Sequence, residues 1–345
     1  MNKLLCVASL VTALCATAPA WACSAFLVEA GGDGYAVAKS YDWDMAQGVV
    51  LANRRGVAKR ALILDPRAKA HAWTSTFASV TFNQYGAEMP NGGMNEKGLV
   101  VEVLWLNASK YPAPDARPVV NELQWIQWAL DTQATTAELV AAAPAIRVAP
   151  AYAKVHYFAC DASRACATFE YVDGKLSIHH GADLPYKALT NHTYDASEVY
   201  MQKRRRDLPK GRGSLERFAR VSRATGGKDL ARTAFHSLDS VSQDAYSVWN
   251  IVYLPAQRQI QFRTHAQTGI KRVDTAKLAL GCGQAPRFLD VQEATAGDVT
   301  GRFRDYTTAD NARLIDKSLG SIAAALPAGA KELLAAYPST LTCAR

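Results

Sequence analysis

Two hydrophobic periodicities divide this chain. Ser24 to Val28 and Tyr35 to Lys39 are short apolar runs separated by Gly31-Gly32-Asp33-Gly34, a pattern that predicts a β-hairpin. Gly98 to Leu104 is another β-rich run, and Asn91-Gly92-Gly93 ahead of it reads as a turn. Leu123, Ile126 and Leu130 then recur at helical spacing after Pro118, and Thr136 with Glu138 starts a second helix that runs into Pro144. From Val155 to His180 the pattern is three strands separated by turns, with Asp173-Gly174 as a hairpin signal. Ser247 to Leu254 and Gln259 to Thr264 form a pair around Pro255. Helices are predicted from Ser214 to about Ser222 and from about Thr308 to Leu326, ahead of Pro327. Runs of antiparallel strands alternating with helical pairs predict an α+β protein whose helices cover sheet faces.

The first residues follow a different rule. Lys3 precedes an apolar stretch from about Leu4 to Ala16, and Ala20 and Ala22 form a small-x-small cleavage site. Residues 1–22 are therefore expected to be a signal peptide, and residues 23–345 a single domain, because no linker, repeat or low-complexity segment divides them. The apolar stretch is shorter than the roughly 20 residues of a spanning helix. A periplasmic or secreted, soluble protein is the expectation.

Cleavage after Ala22 leaves Cys23 as the first residue. Of 7 cysteines, Cys6 and Cys15 leave with the leader, so five remain. Export favours disulfides, and an odd count leaves one thiol over. Cys160 and Cys166 flank a turn-like stretch between two β-prone runs and are expected to staple a hairpin. Cys282 and Cys343 are expected to tie down the C-terminal segment, leaving Cys23 over. The alternative is five reduced, packed thiols. A second alternative is a lipoprotein with Cys23 lipidated, the one route by which the membrane becomes a partner. Ala20 and Trp21 argue against it, since that signal prefers Leu three residues before the cysteine and a small residue two before.

Charge adds little. The net charge is +8, with its densest run at Lys203-Arg204-Arg205-Arg206, followed by Lys210 and Arg212. An exported protein does not normally meet nucleic acid, so a solvated loop is expected, with anionic lipid headgroups as the remaining reading. No cluster of Cys, His and Asp has metal-ligand spacing, and no metal or cofactor is expected. An N-terminal cysteine carries a thiol nucleophile and, in its α-amino group, a base with a pKa of roughly 7.7–8.0.

Five separated motifs resemble the choloylglycine hydrolase and penicillin V acylase family of N-terminal-nucleophile hydrolases, most nearly its Gram-negative penicillin V acylase branch. They are Cys23-Ser24-Ala25-Phe26 with Ala38-Lys39-Ser40-Tyr41-Asp42-Trp43; Asn91 to Leu99 leading to Leu104-Trp105; Leu189-Thr190-Asn191; Glu216-Arg217-Phe218; and the looser hairpin from Trp249 to Thr264. The resemblance implies a four-layer αββα sandwich of antiparallel sheets. It implies that Cys23 attacks an amide carbonyl and forms a thioester, with Asp42 holding the cysteine's amino group. Asn191 and a backbone N–H near Trp105 would serve the oxyanion, and Arg217 would favour the thiolate. Trp43 and Trp105 are implied as walls of a substrate pocket.

Taken singly, these residues have ordinary explanations. Asp42 caps a turn, Asn191 makes an Asx-turn with Thr193, Arg217 sits on a helix surface and Trp105 is core. Their joint occurrence with an N-terminal cysteine favours the catalytic roles. Lys39 departs from the family's arginine, keeping a cation near the thiol while losing the planar fork. The stretch from Asn191 to Arg217 is shorter than the insert that helps better-known members form tetramers, which leaves homo-oligomer formation open. The expected activity is hydrolysis of a small-molecule N-acyl amide of penicillin V, acyl homoserine lactone or bile-salt type. The alternatives are an acyltransferase or a non-catalytic protein on the same fold.

Overall fold

The computed structural model describes residues 22–31, 34–203 and 209–344. The predicted leader, apart from Ala22, lies outside the described residues, as do Arg204, Arg205 and Arg206 of the basic run.

Two large sheets carry the fold. The first is seven-stranded, in the spatial order Ala188–Leu189, Ser24–Glu29, Tyr35–Asp42, Ser247–Leu254, Gln259–Thr264, Lys271–Asp274 and Gly297–Asp298. Its pairs are antiparallel except the last, which is parallel. The second is a nine-stranded antiparallel sheet that runs from Lys175–His180 at one edge, through Val100–Trp105, Pro90–Asn95 and Ser79–Asn83, to Arg304–Asp305 at the other. Phe26, Val37, Trp249 and Phe262 of the first sheet share one buried cluster with Phe82, Met94, Val100, Leu104 and Phe158 of the second. The sheets therefore stack face to face.

Helices supply the outer layers. Gln124–Thr132 and Thr136–Ala142 bury Trp125, Ile126, Leu130 and Leu139 against Val101, Val103, Tyr157 and Phe169 on the outer face of the second sheet. Leu230–Ser240 buries Ala234, Phe235 and Leu238, packing on the strands Tyr35–Asp42 and Ser247–Leu254. This is the α+β arrangement of helix, sheet, sheet and helix. Inner strands buried on both faces, such as Tyr35–Asp42, read as continuous apolar runs rather than as alternation.

Two expectations need correction. Asn91-Gly92-Gly93 is not a turn but lies within the strand Pro90–Asn95. A Cβ on Gly92 would fall 2.3 Å from the Glu102 carboxylate, and one on Gly93 2.6 Å from Thr81 Cγ2. The glycines are there for close approach between neighbouring strands. The predicted long C-terminal helix ends at Ser318, followed by a 3-10 turn over Gly320–Ala325 and a helix over Ala330–Ala336. Gly320, a poor helix residue, marks the break.

Cys160 is bonded to Cys166 across adjacent strands, and Cys282 to Cys343. The second bond ties the terminal strand Thr342–Cys343, paired with Val57–Arg60, to the body. Cys23 is the free cysteine among the described residues.

Candidate active site

Cys23 stands directly before the strand Ser24–Glu29 and is 3% exposed. Antiparallel pairing of Ser24 with Ser40 carries the end of the neighbouring strand, Asp42, alongside the Ala22–Cys23 junction. The hairpin alone thus brings Cys23 and Asp42 together. Cys23 Sγ faces the Asp42 backbone carbonyl at 3.9 Å. Burial raises the thiol above its ordinary range and Asp42 adds to this, while Lys39 and Arg217 pull it back.

Asp42 is buried and held rigidly. Its Oδ1 accepts hydrogen bonds from Ser40 Oγ and Ser247 Oγ, each at 2.6 Å. Its Oδ2 is buried without a hydrogen-bond partner among the described residues. Burial pushes this carboxyl up to about 6, against the pull of Arg217 and the two hydroxyls. A buried acceptor left over is costly, and a new donor beside it would be bound well.

Arg217 belongs to the helix Ser214–Val221, yet it is only 1% exposed. Its guanidinium is a clamp between distant segments. Nη1 donates to Cys23 O (2.6 Å), Ser24 Oγ (2.7 Å) and Ala22 O (3.1 Å). Nη2 donates to Asn191 Oδ1 at 2.7 Å, and Nε to Arg212 O at 3.2 Å. With Oδ1 so taken, the Asn191 amide can turn only one way, and Nδ2 donates to Trp105 O at 2.8 Å. Asn191 therefore makes no Asx-turn with Thr193, and Arg217 is no surface residue. The backbone N–H of Leu106, next to Trp105, is spent on Lys154 O.

Lys39 is fully buried in the strand that ends at Asp42. Its ammonium donates to Val103 O and lies 3.9 Å from Glu102 Oε2.

Cys23 opens onto an apolar cavity with roughly 920 Å³ of empty space, its mouth included. Trp43 and Trp105 both line it, with ring centroids 6.1 Å apart. Tyr85 and Tyr152 extend the aromatic wall, and Leu319, Ile322, Leu326 and Leu334 from the C-terminal segment pack with them to complete the lining. Among the described residues no group of His, Cys, Asp and Glu is arranged to hold a metal ion.

Residues 23–206 match the linear amide C-N hydrolases, choloylglycine hydrolase family. The chain belongs to this family. A penicillin V acylase of Pectobacterium atrosepticum is 34% identical over 140 residues, 36% of this chain and 37% of that protein, so the alignment spans little more than a third of that relative. The solved penicillin V acylase of Agrobacterium tumefaciens superposes with a TM-score of 0.71 at 25% identity, over 82% of this chain and 98% of that one. A variant of the conjugated bile acid hydrolase of Clostridium perfringens gives 0.63 at 14% identity, over 82% and 96%, a likeness of fold.

The site of this member of the linear amide C-N hydrolases includes residues that sequence reasoning passed over. Ser247, which holds Asp42, belongs to no motif. His156 bridges Glu170 Oε1 and Thr190 O, each at 2.7 Å, behind Asn191. Ser214 Oγ accepts from the Asn191 backbone N–H at 2.8 Å. Ser40 was in view inside the motif around Lys39. The others are joined only by long-range packing, so no local spacing marks them.

Proposed function

We propose that this chain is an exported amidohydrolase in which Cys23, once freed from Ala22, is both nucleophile and carrier of the general base. The observation that carries this reading is the unpartnered Asp42 Oδ2, buried alongside the Ala22–Cys23 junction. Cleavage there creates an α-amino group, the donor this oxygen lacks. The thiol proton passes to the amine, and sulfur attacks the acyl carbonyl. Asn191 Nδ2 turns one N–H toward the resulting oxyanion, its carbonyl end still gripped by Arg217; such a donor is worth roughly 2.7–4 kcal/mol. The α-ammonium then protonates the departing amine, leaving a thioester. Water attacks that thioester, giving its proton back to the amine, and the carboxylic acid leaves as the thiol re-forms.

The cavity supports an aryl-acetyl or fatty acyl group. Trp43 and Trp105 flank its catalytic end, while leucines and an isoleucine complete the lining. Substrates of the penicillin V and acyl homoserine lactone type fit this division better than the bulkier bile-salt type. A buried thiol facing this cavity also favours catalysis over lipid attachment. The two disulfides agree with an oxidising, periplasmic or secreted location.

Intact-mass analysis of the exported protein should give a chain beginning at unmodified Cys23, and that chain should release acid and amine from phenoxymethylpenicillin or an N-acyl homoserine lactone. Cys23→Ala should abolish turnover. A diacylglyceryl adduct on Cys23, or undiminished turnover by the alanine variant, would sink the proposal, and transfer to added amines in preference to water would make the protein an acyltransferase.

A further inference from the structure

We infer that Glu102 is a positioning residue for the nucleophile, setting through Lys39 the positive charge that Cys23 meets. The inference rests on the proposed role of Cys23. Lys39 is fully buried, and Glu102, 1% exposed, is the carboxylate within ion-pair reach of its ammonium among the described residues. The other oxygen of Glu102 accepts the Tyr253 hydroxyl at 2.5 Å. Gly92 stands directly opposite Glu102 on the neighbouring strand, and any side chain there would strike the carboxylate. Part of the Asn91-Gly92-Gly93 motif is thereby explained, since the missing Cβ of Gly92 makes the slot in which Glu102 lies.

The need for such a slot follows from the identity of residue 39. An arginine stays charged in a protein interior and spreads its charge over a fork of five donors, whereas a buried lysine readily loses its proton unless an anion holds it. A lysine beside the thiol works as a cation only with a counter-ion behind it. Cys23 also meets Asp42, which disfavours the thiolate, and Arg217, which favours it. Tyr41 is a further titratable group, facing both Cys23 and Glu102. Glu102 is paired with Lys39 at 3.9 Å, and it is through this lysine that it influences the thiol. Burial pushes Glu102 itself up to about 7, opposed by Lys39 and Tyr253.

The mature chain, residues 23–345, allows a test without substrate, because Cys23 is its free cysteine among the described residues. The pH dependence of Cys23 alkylation by iodoacetamide is measured beside kcat and KM for an N-acyl amide. In Glu102→Gln the alkylation midpoint should rise by about one pH unit, a tenfold loss of thiolate at neutral pH, with kcat falling and KM nearly unchanged. Glu102→Asp should restore part of the shift. In a Lys39→Met background, Glu102→Gln should change nothing further. An unchanged midpoint, or an equal shift with and without Lys39, overturns the inference. Tyr253→Phe, which removes only a hydroxyl, should move the midpoint the same way by less and serves if Glu102→Gln fails to fold. Failure of the nucleophile reading is seen separately, as turnover that survives Cys23→Ala.

Discussion

Arg217→Lys offers the sharpest test of the site's geometry, because it keeps the charge and removes the fork. The guanidinium spans Arg212 O, the carbonyls on either side of the Ala22–Cys23 junction, Ser24 Oγ and Asn191 Oδ1. An ammonium has three donors around one centre and cannot reach both Cys23 O and Asn191 Oδ1 in those directions. The bond most exposed to loss is that to Asn191, which orients the amide proposed to meet the oxyanion. A hydrogen bond to a charged group is worth about 1.5–3 kcal/mol. If that orientation energy is lost in the transition state, kcat falls about 10- to 150-fold. Steady-state hydrolysis of phenoxymethylpenicillin, with thermal unfolding to confirm an intact fold, reads this directly. The same substitution made in an Asn191→Ala background should cost far less, since the amide to be oriented is gone. A wild-type kcat in Arg217→Lys, or an equal loss with and without Asn191, refutes the clamp.

Three further outcomes are expected. Cys343→Ser opens a covalent loop of 61 residues, for which chain entropy gives a loss of about 4 kcal/mol; urea unfolding measures it, and a loss below about 1 kcal/mol would show that the terminal strand holds without the bond. Ile322→Trp, in the lining of the cavity, should reduce turnover of long-chain acyl amides about tenfold relative to phenoxyacetyl ones, and an equal effect on both would remove Ile322 from the acyl pocket. In a form that keeps Ala22, the folded state holds the Asp42 proton up to about 6, whereas the unfolded chain releases it near roughly 3.9. The unfolded state therefore binds fewer protons in that window. The Asp42 contribution to stability is greatest below about pH 4 and declines by up to about 3 kcal/mol to a plateau above the folded value. Denaturation across pH should show this decline and its loss in Asp42→Asn, and a decline of the same size in both would assign it elsewhere.

Much of this protein is readable along the chain. Short apolar runs around a glycine turn place Ser24–Glu29 against Tyr35–Asp42, and the strands Ser247–Leu254 and Gln259–Thr264 fall where their pattern puts them. Because Cys23 and Asp42 sit on one hairpin, local order already makes them neighbours. The expected leader, the odd cysteine and the family motifs are likewise read from the linear chain. Asn91-Gly92-Gly93 shows where local rules mislead. The same glycine pair serves a turn or a close approach between strands, and only the neighbour across the sheet, Glu102, distinguishes them. The C-terminal wall of the cavity lay beyond prediction for a related reason, since Leu319 and Leu334 come to line one cavity with Trp105 only through folding of the whole chain.

What the sequence by itself determined is therefore much of the local structure, the order of the motifs and the pairing of Cys23 with Asp42. Tertiary packing decided that Arg217 is buried as a clamp, that Ser247 secures Asp42 from 205 residues away, and that Lys39 stands on a counter-ion from another sheet. The reason is physical. A charged side chain is expected at the surface unless partners for all its donors are supplied, and here those partners lie far along the chain, assembled by the stacking of two sheets.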